Sequence, residues 1–246
     1  MFNFFEKKVF LVDYLHGLVD IHNHILPGID DGAKTTNDSI SLIKGFEEFG
    51  INNFVCTPHI MHHYYPNTPK TIKAAFELLK KELTTHGMSD VQMDYAAEHM
   101  IDENFEIILA KNKVLPIKKE YLLIEMSYLQ PSLHFEDAVK NISTQSLFPI
   151  LAHPERYGYY HGNFKKYELF KSMGVLFQLN ILSLSGYYGV EIQKMTLTLL
   201  KSGLIDFISS DAHNKSHLKR IKEIKLKKST LEMVLPIIEN TILNFY

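Results

Sequence analysis

Histidine and carboxylate residues recur where the short apolar segments of this 246-residue chain end. His22 and His24 stand two positions apart, as do Asp211 and His213, and side chains at i and i+2 of a strand point the same way. Each pair can therefore converge on one ion. Imidazole and carboxylate donors without thiolate suit Mn, Fe or Zn. The residues of these types at the segment ends are His22, His24, Asp30, Asp31, His59, Glu98, Glu125, His153, Asp211 and His213.

The number of these residues favours metal binding over packing. A single buried histidine is most often a hydrogen-bonded core residue, but the same residue types at most segment ends are difficult to assign to packing. Buried carboxylates are costly unless a metal ion or another cation compensates their charge. The sequence therefore predicts a site that holds several metal ions.

Seven short segments rich in β-branched and aromatic residues predict the buried strands that position these side chains, and helix-like segments lie between them. This alternation predicts an α/β fold with a parallel sheet and outer helices. A closed or nearly closed barrel is favoured over an open sheet, because polar residues cluster at the C-terminal end of almost every strand. The predicted strands are 17–24, 51–59, 91–99, 120–127, 148–156, 174–180 and 205–213; the predicted helices are 37–49, 69–86, 102–111, 134–145, 163–173, 189–202 and two more in 216–246, broken near Pro236.

Composition limits the class of protein. The chain is 46% hydrophobic and 22% charged with a formal net charge of -2, which is typical of globular proteins and does not predict nucleic-acid binding. Its one cysteine, Cys56, is expected in the core, and it suits a reducing cytosol. No apolar run approaches the roughly 18 residues of a spanning helix, and no signal peptide is recognised. A cytoplasmic protein without stable membrane insertion is expected, as one domain over 1–246 with an extension, 1–16, anchored by Phe2, Phe4 and Phe5.

Several sequence blocks carry a resemblance to a known family. In order and spacing they resemble the PHP (polymerase and histidinol phosphatase) superfamily, and more closely its bacterial tyrosine-protein phosphatase branch of the CpsB/CapC/YwqE type. The resemblance implies a distorted (β/α)7 barrel of PHP type, with metal ions at the C-terminal ends of the strands. It also implies phosphotyrosine hydrolysis without a cysteine nucleophile. The blocks are DIHNHILPGIDDGA (20–33), TPH (57–59), AE (97–98), LIE (123–125), AHPERY (152–157) and SDAHN (210–214).

The resemblance also implies which residues hold each ion. The spacing from His22 favours Asp31 over Asp30 as a ligand, and a turn or supporting role is the alternative for Asp30. The implied sets are His22, His24, Glu98 and Asp211 for one ion; Glu98 as a bridge with Glu125 and His153 for a second; and Asp31, His59 and His213 for a third.

Substrate-binding residues are expected at the same end of the barrel. Only two of the 26 lysine and arginine residues are arginines. Arg156 matches the arginine of the HPER motif, and the resemblance implies that its planar guanidinium binds phosphate oxygens. Arg220 is displaced from the basic residue that follows SDAHN in relatives, so its role in substrate binding stays open. Tyr64 and Tyr65 either pack onto the barrel or form an aromatic rim that favours a flat leaving group. Asn180 either packs at a strand end or faces the site.

These residues and the resemblance together favour a metal-dependent protein-tyrosine phosphatase. Two to three divalent ions, expected to be Mn with Fe or Zn as alternatives, would activate a hydroxide for attack on phosphorus, and Asp211 or a nearby histidine would protonate the leaving group. The expected substrate is a tyrosine-phosphorylated protein, such as the tail of a membrane-associated tyrosine kinase of capsule or exopolysaccharide synthesis and export. The alternatives are another phosphoesterase of the superfamily (a histidinol-phosphate phosphatase or a nuclease) and a non-catalytic interaction module. The oligomeric state stays open.

Overall fold

The computed structural model describes residues 7–246, so the expected anchoring by Phe2, Phe4 and Phe5 lies outside the described residues. Strands and helices alternate along the described chain, as the sequence predicts. The strands are β1 (Lys8–Phe10), β2 (Val19–Asp20), β3 (Asn53–Cys56), β4 (His59–Ile60), β5 (Gln92–Tyr95), β6 (Glu98–Met100), β7 (Tyr121–Glu125), β8 (Phe148–Ala152), β9 (Leu176–Asn180), β10 (Phe207–Ser209) and β11 (Lys225–Lys227). The helices are α1 (Thr36–Glu47), α2 (Pro69–Thr85), α3 (Phe105–Ala110), α4 (Phe135–Thr144), α5 (Phe164–Ser172), α6 (Val190–Lys201), α7 (Lys215–Glu223) and α8 (Lys228–Phe245).

Side-chain caps determine where the first two helices begin. Thr35 and Asp38 form a reciprocal capping box at the start of α1. Thr68 caps α2 in the same way, and Pro69 occupies the first helical turn, where its missing N–H costs no hydrogen bond. None of the helices formed by residues 7–246 combines the length and apolar composition that crossing a bilayer requires.

Parallel pairing joins the central strands in two sheets. One sheet has the order β10-β9-β8-β7-β6-β4, and the other has the order β2-β3-β5. Two predicted strands are divided between the sheets, since 51–59 corresponds to β3 and β4 and 91–99 corresponds to β5 and β6. A separate antiparallel pair consists of β1 and β11. The expectation of an α/β fold with parallel strands is confirmed.

The edge strands β2 and β10 approach each other near their C-terminal ends. Asn23 and Ala212 form an isolated parallel bridge. The Asp20 carboxylate accepts hydrogen bonds from the Ser210 backbone N–H at 2.9 Å and from the Ser210 hydroxyl at 2.6 Å. These contacts bring the ends of the first and last parallel strands together.

Side chains of the sheets alternate between two apolar clusters. In β7, Leu122 and Ile124 pack in the larger cluster with the helices, whereas Leu123 packs in a smaller cluster on the other face. Phe245, from the end of α8, also packs in the smaller cluster. Glu125 lies two positions after Leu123 and therefore on the same face of the sheet. A carboxylate thus stands next to the apolar residues of the smaller cluster.

The predicted helix break near Pro236 is wrong. The helix α8 continues through Pro236, and the interruption occurs earlier, at β11. A proline inside a helix leaves the carbonyl of residue i−4, here Glu232, without its helical donor. Both Pro236 and Glu232 are exposed, so water can bond that carbonyl and the helix tolerates the proline.

Replacing this proline should stabilise the protein. Pro236→Ala restores one helical hydrogen bond, and we expect the free energy of unfolding to rise by about 1–3 kcal/mol after the smaller entropic gain of the unfolded chain is subtracted. Urea denaturation measures the change.

Pro66→Ala is the matched control, because Pro66 lies in an exposed loop. That variant gains no helical hydrogen bond and should lose about 0.4–1 kcal/mol. A loss of stability in Pro236→Ala equal to or larger than that of the control would contradict the explanation.

Candidate metal centre

The nine proposed metal ligands meet at the ends of strands or just beyond them, with His59 and Glu98 standing at the start of the short strands β4 and β6. Their nitrogen and oxygen atoms form four overlapping groups, and within each group the donor atoms lie within 4.8 Å of one another. The groups are His24, Asp31, His59 and His213; His22, His24 and Asp211; His22, Glu98 and His153; and His59, Glu98 and Glu125.

Glu98 lies at the middle of this arrangement and is fully buried. Its Oε2 atom is 3.2 Å from His22 Nε2 and 3.0 Å from His59 Nδ1. Its Oε1 atom is 3.1 Å from His153 Nε2. Glu125 is also buried, and its Oε1 atom lies 2.9 Å from the same His59 Nδ1. Two carboxylates therefore approach a single imidazole nitrogen.

Two aspartates complete the outer groups. Asp211 Oδ1 lies 3.3 Å from His24 Nε2. Asp31 Oδ1 lies 3.5 Å from His59 Nε2 and 3.5 Å from His213 Nε2. Donors from six of the strand ends and from the loop before α1 thus meet in one centre.

The structure groups some of these residues differently from the resemblance. The resemblance assigns Glu125 and His153 to the same ion, whereas Glu125 lies with His59 and His153 lies with His22. His59 uses both of its nitrogens, because Nδ1 faces Glu98 and Glu125 while Nε2 faces Asp31. The ion that each residue holds therefore stays a proposal.

Unpartnered donor atoms show that the centre fits a divalent metal ion. His59 Nδ1, Glu98 Oε2 and Glu125 Oε1 are buried without a hydrogen-bond partner among the described residues, although they lie close together. Burial and the charge of Glu98 raise the pKa of Glu125. Burial disfavours protonation of His59, but the charges of Glu125 and Glu98 raise its pKa well above the ordinary value. A cation between these atoms would satisfy all three donors.

A second set of side chains orients two of the histidines. His22 Nδ1 lies 2.8 Å from Gln178 Oε1, which leaves Nε2 for the centre. His24 Nδ1 lies 2.8 Å from Asp30 Oδ2 in the same manner. Asp30 therefore supports His24, whereas Asp31 belongs to a donor group. Such outer hydrogen bonds hold metal-binding imidazoles in one tautomer and orientation.

Arg156 lies beside the centre in a clamp formed by Asp211, Tyr128 and Tyr188. Its Nη1 atom donates to Asp211 Oδ2 at 2.8 Å. The guanidinium carbon lies 4.5 Å from the ring centroid of Tyr128 and 4.1 Å from that of Tyr188. Asn180 Nδ2 donates to Asp211 Oδ2 at 2.8 Å and lies 3.2 Å from the Tyr188 hydroxyl, so Asn180 faces the site.

Sequence reasoning missed both tyrosines of this clamp. The Tyr128 hydroxyl also lies 3.1 Å from His153 Nε2, which places it at the edge of the centre. Tyr128 follows the end of β7 by three residues, and that position is the signal that could have indicated it. Tyr188 lies in the segment between β9 and α6, with no comparable signal among the 13 tyrosines of the chain.

The other expected substrate residues lie at different distances from the centre. The Tyr65 ring stacks on His59, with centroids 5.4 Å apart and planes inclined by 13°. Tyr64 is 77% exposed and lines a neighbouring cavity. Arg220 is exposed on α7 and pairs with Glu223 at 3.2 Å.

Two residues of the centre have backbone conformations that side chains rarely adopt. His153 has φ of 36° and Asp211 has φ of 50°, both in the left-handed region. Such conformations cost about 1–3 kcal/mol each and persist where the surroundings impose them. Their position at the ends of β8 and β10 is typical of strain held at a functional site.

Comparison with known proteins gives close matches over most of the chain. The family model for capsular polysaccharide synthesis, CpsB/CapC, matches residues 18–233, a range that includes all nine donor residues and Arg156. Tyrosine-protein phosphatase YwqE of Bacillus subtilis is 31% identical over 198 residues, which are 80% of this chain and 78% of YwqE. CapC of Staphylococcus aureus is 34% identical over 202 residues, which are 80% of this chain and 77% of CapC. Tyrosine-protein phosphatase CpsB of Streptococcus pneumoniae is 26% identical over 203 residues, covering 80% of this chain and 83% of CpsB.

A solved structure matches the whole architecture. It comes from crystal structures of YwqE from Bacillus subtilis and CpsB from Streptococcus pneumoniae, described as unique metal-dependent tyrosine phosphatases. The TM-score is 0.79 at 28% sequence identity, with 93% of this chain and 96% of the other covered. The resemblance inferred from the sequence blocks is confirmed.

A substitution at Gly32 should disturb the centre without touching a donor atom. A Cβ at Gly32 would lie 2.0 Å from the His24 carbonyl oxygen and 2.5 Å from the His24 Cβ, so His24 would have to move. We expect Gly32→Ala to weaken metal binding by roughly tenfold or more, as loss of the support around a metal ligand does. Metal titration of the chelator-stripped protein measures the effect.

Gly162→Ala serves as the control, since a Cβ at Gly162 meets nothing within 4 Å. It should bind metal as the wild type does. Wild-type metal affinity in folded Gly32→Ala would show that His24 does not need its present position.

Proposed function

The chain belongs to the CpsB/CapC family of capsular polysaccharide synthesis, and we propose that it is a metal-dependent phosphatase that hydrolyses phosphotyrosine in proteins. The observation that carries the proposal is the convergence of metal-binding side chains beside a clamped arginine, with three buried donor atoms that have no hydrogen-bond partner in the described part of the chain. The names of the relatives YwqE and CpsB, both tyrosine-protein phosphatases, support it. A complete donor set also favours an enzyme over a non-catalytic interaction module.

The proposed architecture is a single domain over 1–246 with a distorted (β/α)7 barrel. Its support is the bridge between the segments that follow β2 and β10, together with a main apolar cluster that extends from Leu11 to Ile238. A cytoplasmic location is proposed as well. The buried, unpaired thiol of Cys56 supports it, because a reducing compartment keeps such thiols free.

The nine donor side chains would hold two to three divalent ions, with Mn proposed and Fe or Zn as alternatives. When bound, these ions would acidify a water for attack on phosphorus and neutralise phosphate charge. Four carboxylates and five neutral imidazoles around three divalent ions would leave a net charge of about +2, which favours a dianionic phosphate monoester. The donors involved are His22, His24, Asp31, His59, Glu98, Glu125, His153, Asp211 and His213.

Arg156 is the residue proposed to bind the phosphate oxygens. Its pKa is raised, because the charges around it outweigh the effect of burial, so it stays charged at any working pH. Among the described residues, Asp211 accepts a hydrogen bond from one of its nitrogens, and the rings of Tyr128 and Tyr188 flank the guanidinium. The remaining N–H groups can therefore form a preoriented bidentate contact with phosphate.

We assign Asp211 to binding a metal ion and positioning Arg156, and not to donating a proton to the leaving group. Burial would raise its pKa, but the neighbouring His22 and His213 hold that pKa well below the usual range. An ionised carboxylate cannot donate a proton to the leaving phenolate. Asp211 instead receives hydrogen bonds from Arg156 and Asn180, which makes it a link between the donor groups and the phosphate-binding arginine.

The substrate proposed is a tyrosine-phosphorylated protein of polysaccharide synthesis, such as the tail of a membrane-associated tyrosine kinase. Tyr65, stacked on His59, offers an aromatic face at the rim of the centre. Such a face favours a flat phenolic leaving group. The family's connection with capsular polysaccharide synthesis supports the choice of process.

Arg156→Lys should separate phosphate binding from structural roles. The substitution keeps the charge but loses the planar fork and the stacking, so we expect kcat/KM to fall by roughly tenfold or more. Arg220→Lys is the matched control, because Arg220 pairs only with Glu223 among the contacts described for it, and kcat/KM should stay near wild type. Normal kcat/KM in a folded Arg156→Lys protein would remove Arg156 from the reaction, and an equal fall in both variants would place Arg220 at the substrate as well.

Substrate comparison at one metal loading should identify the reaction. Phosphotyrosine peptides should exceed phosphoserine peptides and histidinol phosphate in kcat/KM by roughly tenfold or more, since phenolate leaves more readily than an alkoxide and stacks on the rim. Single-stranded DNA should not be hydrolysed. A preference for histidinol phosphate or for DNA would move the protein to another activity of the PHP superfamily.

A further inference from the structure

A cavity of about 630 Å³ is lined by residues that closely follow donors of the metal centre in the chain. Met61, Met100 and Ser127 line it, and each lies two positions after a donor of the central group, namely His59, Glu98 or Glu125 in turn. This spacing puts the cavity next to the centre. A molecule held at the centre by its phosphate could therefore extend into this cavity, whose size is typical of ligand-binding sites.

The walls of the cavity are largely apolar and include unusually exposed residues. Ile101 and Phe105 contribute buried apolar surface. Leu133 is 92% exposed and Tyr64 is 77% exposed, and both line the same cavity. Clustered exposed apolar side chains in a soluble domain are typical of binding surfaces.

The charged side chains of the cavity are mostly carboxylates. Asp102, Glu103 and Glu106 line it together with three histidines, and none of the described lysines or arginines does. Glu106 Oε2 accepts a hydrogen bond from Asn141 at 2.9 Å, but its Oε1 atom is buried without a partner among the described residues. Glu103 is 63% exposed and contacts only the rim histidines His62 and His63 among its ion pairs. The cavity thus offers carboxylate oxygens to a cation.

A second cavity borders the centre and differs from the first in charge. It is lined by Asp31 and His213 of the centre, by Asp38, and by the two lysines Lys34 and Lys215. Its lysines are offset by the two aspartates, whereas the first cavity has carboxylates and none of the described lysines or arginines. This difference would distinguish the residues before a phosphotyrosine from those after it.

We propose that the cavity lined by Leu133, Glu103 and Glu106 binds the polypeptide segment on one side of the phosphotyrosine, and that it selects an apolar side chain followed or preceded by a lysine or arginine. This inference rests on the proposed function, because it takes the phosphotyrosine to occupy the metal centre. The apolar walls would bury the hydrophobic side chain. The unpartnered Glu106 oxygen and the exposed Glu103 carboxylate would receive the cation.

Phosphotyrosine peptides that differ at a single flanking position test the inference. Lys, Ala or Glu is placed at each of the two positions on either side of the phosphotyrosine, and kcat and KM are measured for each peptide. On one side only, we expect KM to be about three- to tenfold lower for Lys than for Glu, with kcat little changed and the difference shrinking in high salt.

The double variant Glu103→Gln/Glu106→Gln should abolish this preference. Glutamine keeps the size of both side chains and an oxygen for Asn141, so the KM values for Lys and Glu peptides should fall within twofold of each other. Glu168→Gln/Glu239→Gln, which removes two exposed carboxylates from α5 and α8, should keep the full preference. Leu133→Ala, at an exposed position that should not affect folding, should raise KM for a peptide with a flanking Leu more than for one with a flanking Ala.

Hydrolysis of p-nitrophenyl phosphate separates this inference from the proposed function. That substrate has no flanking residues, so its kcat/KM reports the centre alone. Wild-type protein that hydrolyses p-nitrophenyl phosphate but no phosphotyrosine peptide would overturn the proposed function. Peptide hydrolysis without a Lys preference, or with a preference that survives in the Glu103→Gln/Glu106→Gln variant, would overturn the inference about the cavity and leave the proposed function in place.

Discussion

The burial of Glu98 and Glu125 against one imidazole nitrogen is the electrostatic constraint on which the rest of the structure depends. Both carboxylates are almost completely inaccessible to water, and each keeps an oxygen that forms no hydrogen bond with any residue of 7–246. Burying one unpaired charge is costly, and two carboxylates close together also repel each other. The raised pKa values of His22 and His59 show that the surrounding negative charge outweighs the burial that opposes their protonation. Divalent cations among these donors would balance that charge.

The fold meets this constraint by bringing donors from many strand ends to one place and fixing each of them from behind. Gln178 and Asp30 orient the first two histidines. The left-handed backbone at His153 and Asp211 turns the chain sharply at two strand ends. Arg156 is also held from several directions, by two aromatic faces and by Asp211. The residues proposed to bind ions and the arginine proposed to bind phosphate therefore share Asp211.

Much of this could be predicted from the sequence because strand and helix periodicity is local. The alternation of apolar segments with amphipathic ones identified the α/β class, and the predicted start of a helix at residue 69 is the start of α2. The polar residues after each strand converge because parallel strands end at the same edge. Tertiary detail could not be predicted in the same way. Pro236 lies within a helix because its free carbonyl faces water, which depends on exposure rather than on residue type. The pairing of Glu125 with His59, and the positions of Tyr128 and Tyr188, depend on distances between strand ends that no local pattern contains.

Anomalous diffraction from crystals of catalytically active, metal-loaded protein would show whether cations lie between the buried carboxylates and histidines. Data collected above and below the absorption edge of the bound element locate each ion independently of the protein coordinates. We expect two to three anomalous peaks among the nine donors, with one of them about 2.0–2.3 Å from His59 Nδ1 and the adjoining carboxylate oxygens of Glu98 and Glu125. Active crystals without an anomalous peak among these side chains would contradict it.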